Sequence, residues 1–263
     1  MALTKVIGDG LGGTNDLTVD TTTLTVDATN NRVGIGSATP TKVLDITESA
    51  SADTGQVKLT YDGGDGNRAG FILKNTHTGG REYGIYAGNN ATGGGLGNSL
   101  AISDNTASTA YRLIIDSSGA VTMPSQPAFL AKVNTDQTNF ALNSDVTVIF
   151  NVERFDQNAD FDTGTYTFTA PVTGRYQLQT SLRLENVDTA GGYFQLKLVT
   201  SNTTYATIIS PLFTADASYW NMSHAVIADM DASDTAIVKI KQLQGTAQTD
   251  IDIESYFSGF LVC

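Results

Sequence analysis

Between Tyr176 and Leu184 the side chains obey a strict two-residue rule. In the stretch TYTFTAPVTGRYQLQTSLRLE (165–185), Tyr176, Leu178, Thr180, Leu182 and Leu184 take one phase, and Gln177, Gln179, Ser181 and Arg183 take the other. Only an extended strand separates those two sets onto opposite faces; a helix would scatter them around its surface. The pattern predicts an antiparallel strand with one face on a core and one face in water. TVIFNV, YFQLKLV, SHAVIADM, TAIVKIKQL and DIESYFSGFLV continue the theme, giving at least eight expected strands within residues 124–263. That spacing fits a β-sandwich or jelly roll.

The first half has different physics. Of 26 glycines, 20 precede residue 124, whereas only five of the 22 aromatics do: Tyr61, Phe71, Tyr83, Tyr86 and Tyr111. Aromatic side chains bury roughly 150–250 Å² each, so the second half can close a conventional core and the first cannot. Short extended runs (DLTVD, TLTVD, KVLDI, QVKLTY, AGFILK, EYGIYAG, YRLIID, GAVTM) alternate with glycine- and asparagine-rich turns, and TVD recurs once without founding a repeat. Strands this short and sparsely apolar do not stabilise a single-chain domain. Their regularity argues against disorder, so a β-shaft sharing its core among several chains is expected. MPSQPAF (123–129), with two prolines, is read as the boundary.

Bulk properties exclude several function classes. A net charge of −12 repels phosphate backbones, so no nucleic-acid partner is expected. No apolar window is long enough for a transmembrane helix, and MALTKVIGDGLGG lacks the core of a secretory signal, so no membrane insertion is expected. The lone cysteine, Cys263, allows no intrachain disulfide, which suits synthesis in a reducing cytosol.

Two resemblances follow from particular residues. FDTGTYTFTAPVTGRYQLQTSL resembles the heart of the C1q-like domain family, a trimeric jelly roll related to tumour necrosis factor. The matching residues are Asp162, Thr163, Gly164, Phe168, Ala170, Pro171, Gly174 and Tyr176. PAFLAKV (127–133) and SYFSGFLV (255–262) resemble the family's first and last strands, with Phe257, Gly259 and Leu261 at its terminal motif. Leu178 departs from the family by replacing a common aromatic. Pro171 is expected to end one strand and Gly174 to permit a turn before Tyr176. The resemblance, not composition, implies three chains.

In the first half, RVGIG…P…VLDI (Arg32, Val33, Gly34, Ile35, Gly36, Pro40, Leu44, Ile46) resembles a motif of tail fibres, tailspikes and other virion proteins of tailed phages. EYGIYAGNN and LIIDSSGAVTMP resemble the same class, and MALTKVIGDGL is similar to openings seen in phages of cyanobacteria. Val33, Ile35, Leu44 and Ile46 are therefore expected to meet their counterparts near a three-fold axis, with Gly34 and Gly36 letting chains approach closely. Tyr83 and Tyr86 are read as inter-chain packing.

Chemistry finds little purchase. Gly34-Ile35-Gly36 lacks the third glycine and following helix of a dinucleotide loop, and Pro40 stands where that helix would run. Asp156, Asn158, Asp160 and Asp162 mimic the start of a calcium loop, but position six is Phe161 and position twelve is Thr167. A solvated loop is the simpler reading; calcium remains open as its ligand. His77 and His224 are too few and too far apart for zinc, and neither has an evident triad partner. Cys263 is read as a strand end rather than a nucleophile. Tyr219 and Trp220, in an expected loop, could stack on a glycan or receptor, although packing within the head or between subunits is favoured for Trp220.

These readings give an all-β, homotrimeric chain: an intertwined, short-stranded shaft (1–123) and a C1q-like jelly-roll head (124–263). The expected role is a non-enzymatic, cofactor-free phage virion protein, assembled in the host cytoplasm. It would be a tail fibre or appendage contacting a host-surface glycan or receptor, anchored by tail or baseplate proteins. The alternative is a capsid decoration (cement) protein seated on the major capsid protein at three-fold junctions.

Overall fold

The computed structural model describes residues 17–19, 23–47, 57–60, 68–88, 97–107 and 110–263. The chain divides into two compact units, 1–64 and 65–263. Apart from a single 3-10 turn at Asn105–Ala107, every regular element among the described residues is a strand.

In the first unit, β1 (Leu17–Val19), β2 (Leu24–Asp27), β3 (Arg32–Ile35) and β4 (Leu44–Ile46) form one sheet in that order. The β2–β3 hairpin turns because the Asp27 carboxylate accepts the backbone N–H and the side-chain amide of Asn30, while Asn31 takes the left-handed region at φ 55°. Those hydrogen bonds hold the Asp27 carboxyl below its ordinary value. Strand β4 runs parallel to β3, with Val33 opposite Leu44 and Ile35 opposite Ile46. The four expected apolar residues thus share one face, and Ile35 and Leu44 remain 44% and 57% exposed. The glycine pair has a purpose within the single chain. A Cβ on Gly34 or Gly36 would overlap the carbonyl oxygen of Ser37 or Thr47, so both serve the chain's own close crossover between β3 and β4. QVKLTY was expected to be extended; its described residues, 57–60, belong to no strand.

The second unit opens with an antiparallel meander of β5 (Arg68–Lys74), β6 (Glu82–Gly88), β7 (Leu100–Asp104), β8 (Ala110–Ile115) and β9 (Val121–Thr122). Tyr86, read as inter-chain packing, already has a place within the single chain. It is buried within its own sheet, where a Cβ on Gly84 or Gly70 would collide with its ring. Asn105 donates to its hydroxyl at 2.8 Å, and the Arg68 guanidinium lies 4.4 Å from the ring centre. The proline-bearing segment that follows is fastened to the head. Gln126 donates its amide to the Leu261 carbonyl, and Gln157 donates to the carbonyls of Met123 and Gln126.

The head comprises β10 (Ala128–Lys132), β11 (Val146–Thr147), β12 (Val152–Asp156), β13 (Phe161–Asp162), β14 (Thr167–Thr169), β15 (Gly174–Val187), β16 (Tyr193–Thr200), β17 (Thr204–Ile209), β18 (Ala217–Met230), β19 (Thr235–Leu243), β20 (Asp250–Ile251) and β21 (Tyr256–Leu261). One sheet has the order β12-β10-β21-β15-β18, and β20 also pairs with β15. The other has the order β13-β14-β19-β16-β17, and β11 also pairs with β19. The two are jelly-roll-like sheets sharing a single core. The alternation expected for β15 is realised, with Tyr176, Leu178, Leu182 and Leu184 fully buried. At the centre Phe129 stacks on Phe161 and Phe168, with ring centroids at 5.0 and 4.8 Å, and meets Phe257 edge-on. TVIFNV, expected as one strand, is split. β11 belongs to one sheet and β12 to the other, and Val148 and Phe150 are both buried in the switch between them.

Candidate functional site

The recognised motif residues are almost all structural. Phe168, Tyr176 and Phe257 are fully buried, and the Tyr176 hydroxyl donates to the Val172 carbonyl at 2.7 Å, closing the turn after Pro171. Gly174 adopts no left-handed conformation. Its missing side chain instead makes room for the Cys263 carbonyl oxygen and for Leu261, which a Cβ would approach to 2.6 and 2.8 Å. Arg175 donates its backbone N–H to the same Cys263 carbonyl, so the exposed cysteine ends a pinned strand.

The acidic loop spends its oxygens on itself. Asp156 accepts the N–H groups of Asp160 and Phe161, Asn158 donates to Asp160, and Asp162 accepts from Gly164 and Thr165. Backbone donation holds the Asp162 carboxyl down, whereas burial pushes Asp160 up. Among the described residues no three His, Cys, Asp or Glu side chains converge as a metal centre would require. His77 lies in an exposed turn, its backbone N–H bonded to the Asn75 side chain. His224 sits on β18 opposite Thr180, and its buried Nε2 has no hydrogen-bond partner. Thr180 spends its hydroxyl on the Tyr256 carbonyl, so the pair offers no relay.

Chemistry gathers instead where β18 begins. Tyr219 and Trp220 lie in that strand rather than in a loop, because the long β15 pairs with β18 up to Val187, with Leu184 opposite Trp220 and Glu185 opposite Tyr219. Trp220 rests on Phe213 at 5.0 Å between ring centres and is 38% exposed; Tyr219 is 61% exposed. The Arg183 guanidinium stands 5.7 Å from the Tyr219 ring centre. It also pairs with the nearly buried Asp252 at 2.6 Å, delivered by the turn between β20 and β21. The hydrogen bond to Asp252, aided by burial, raises the Glu185 carboxyl above its ordinary value. Burial pushes Asp252 up, but donation from Arg183 and from the Glu254 N–H outweighs it and holds Asp252 low.

The result is an exposed aromatic pair beside a guanidinium and two carboxyls, one of which, Asp252, is paired with that guanidinium. The arrangement suits binding by stacking and hydrogen bonding. Sequence reasoning found Tyr219 and Trp220 but not Arg183, Glu185 and Asp252. The outward phase of β15 was the available signal for the first two.

A second exposed feature lies on the outer face of the β12-β10-β21-β15-β18 sheet. Register sets Leu130 beside Phe155 and Ser258, and Gln177 between Ile227 and Phe260. Phe155, Ile227 and Phe260 are each half exposed or more, and Phe155 and Phe260 line a depression of about 380 Å³.

A family model described as the C1q domain matches residues 128–262, just over half of the chain. Among solved structures, the head is similar to the globular domain of zebrafish complement 1qA protein. That similarity is at 22% identity and a TM-score of 0.40, covering 52% of this chain and 98% of that one. It is also similar to murine APRIL at pH 8.0, at 10% identity and a TM-score of 0.40, covering 52% and 99%. No curated protein matches the chain.

Proposed function

The chain belongs to the C1q domain family, and from that premise we propose that it is a structural protein of a tailed-phage virion. On this reading it is a homotrimeric tail fibre or short appendage whose head attaches to the host surface. The observation that carries the assembly is the outer sheet face of the head. A jelly roll with a closed core still leaves Phe155, Phe260 and Ile227 in water, and a monomer has no use for that face. The RVGIG and LIIDSSGAVTMP stretches support the virion assignment through their resemblance to fibre proteins.

The contact with the host is assigned to Tyr219 and Trp220, with Arg183 at the rim. Exposed aromatic faces stack on sugar rings, and the polar groups around them fix orientation. One such site binds weakly. Three on a rigid trimer convert the second and third contacts into local events at high effective concentration. The anchoring partners are tail or baseplate proteins, and no cofactor enters the mechanism.

Purified chain, added to host cells before infection, is expected to compete with virions for adsorption, and antibody against the head to label the tail. Label distributed over the whole capsid, with adsorption untouched, would replace this reading by the decoration role.

A further inference from the structure

The meander of residues 68–122 has two unlike faces. On one, Tyr86 forms a small core of its own with Ala101, Tyr111 and Ile114. Among the described residues nothing covers the other face. Direct cross-strand pairing sets Phe71 beside Ile85, Ile85 beside Ile102 and Ile102 beside Leu113. Leu73 and Tyr83 pair in the next row, and Leu100 extends the array along β7. Phe71, Leu73, Tyr83, Ile85, Leu100 and Ile102 are between 37% and 61% exposed. Together they present on the order of 500 Å² of apolar surface, near the upper end of what a soluble monomer exposes.

We infer that this face is a self-association surface whose occupant is the same face of other copies of the chain. Shape and area argue for that occupant. The chain carries −12, so a contact between copies is least opposed on an apolar patch. Arg68, Lys74 and Glu82 occupy the opposite phase of their strands, and Lys74 pairs with Glu82 there. Asp104, at the strand end beyond Ile102, is held between Arg81 and Arg112. Asp104 shares the phase of Ile102 and lies opposite Tyr83, so this ion cluster bounds the apolar array at one end, and the uncharged part of the face is the stretch from Phe71 and Leu73 across Ile85 to Leu100 and Ile102. Its area is a substantial part of the roughly 800 Å² per partner of a stable interface. Branched and aromatic side chains standing out from a sheet interdigitate with a like sheet about 10 Å away. The inference deepens the proposed assembly by adding a second contact outside the head, and it takes only its stoichiometry from that reading.

The test uses the full chain in a Cys263→Ser background, with Ile85→Cys on the apolar face and Ile72→Cys on the opposite face, each as a separate variant. Ile72 is 58% exposed in one chain, so a thiol at that position is the reference for free access. Sedimentation gives the state of assembly, and maleimide labelling plus a short bismaleimide linker reads the face. The expected result is an oligomer in which the Ile85→Cys thiol labels roughly tenfold more slowly than the Ile72→Cys thiol and joins chain to chain. Leu100→Cys should behave as Ile85→Cys does, which guards against a local defect. An oligomer whose Ile85→Cys and Leu100→Cys thiols label as fast as the reference overturns this inference while leaving assembly through the head intact. A monomer overturns both readings if its thiol at position 85 is freely labelled. A monomer with that thiol protected means that the chain covers its own face, and it overturns this inference too.

Discussion

Gly259 should be among the least replaceable residues of the head. It lies on β21 between two strands, directly opposite Phe129 of β10 and Leu178 of β15. A methyl added there would fall 2.8 Å from Phe129 Cε1 and 2.8 Å from Leu178 Cδ2, with the Gln177 carbonyl oxygen at 3.1 Å. Neither side chain can retreat. Leu178 is fully buried, and Phe129 is fixed by three aromatic neighbours. Overpacking of a tight core costs about 1–3 kcal/mol. For a body of this size that lowers the melting temperature by about 3–9 °C. Trp220 is the only tryptophan, so its fluorescence reports the head alone during a melt at fixed protein concentration. Gly164→Ala is the matched control, because its Cβ would meet only an Asp162 oxygen at 3.2 Å. In the double variant, Leu178→Ala should recover part of the Gly259→Ala loss, with a coupling of about 1 kcal/mol. Equal melting of wild type and Gly259→Ala, or strict additivity with Leu178→Ala, would refute the packing argument.

Three further outcomes are expected. Tyr176→Phe removes the 2.7 Å hydrogen bond to Val172 and should cost about 0.5–1.5 kcal/mol in urea unfolding while leaving assembly unchanged. Glu185 has a raised folded-state pKa, so its contribution is full below its ordinary value of 4.5 and is lost as pH rises through the folded value. Glu185→Gln, which keeps a donor toward Asp252 without a charge, should flatten that decline in melts from acid to neutral pH; a profile superimposable on wild type would exclude the coupling. Trp220→Ala should leave the oligomer intact in sedimentation and abolish competition for host adsorption, and unchanged competition would move the contact elsewhere.

Legibility in the sequence tracked burial on one face. β15, β16 and β19 each alternate between core and surface along their length, so the two-residue period survived in the residues themselves. TVIFNV misled because Val148 and Phe150 stay buried while the chain passes from one sheet to the other, and an apolar run does not record which sheet it serves. TADASYWNMS has a loop's composition, yet its Tyr219 and Trp220 are drawn into β18 by pairing with β15, more than 30 residues earlier. A still longer separation in sequence hid the Arg183–Asp252 pair. β7 escaped notice because LAISD carries only two large apolar residues, both on the uncovered face.

That uncovered face separates the two parts of the second unit thermodynamically. In the head, one chain supplies every wall of the core: the phenylalanine cluster draws on β10, β13, β14 and β21 and is closed by β15, β16 and β19. Its stability is therefore a property of a single copy, to which assembly adds. In the meander the buried cluster is Tyr86 and Ala101, with Tyr111 and Ile114 against them, while six other large apolar side chains stand outside. Burying about 500 Å² at about 25 cal/mol per Å² supplies up to ~12 kcal/mol, and it does so only when copies meet. Folding of the meander is then linked to association, and dilution should unfold it before the head. The concentration of glycine in residues 1–123 fits this division. Gly70 and Gly84 leave room for the Tyr86 ring on one face of the meander, and the large apolar residues of the opposite phase are left for a neighbour.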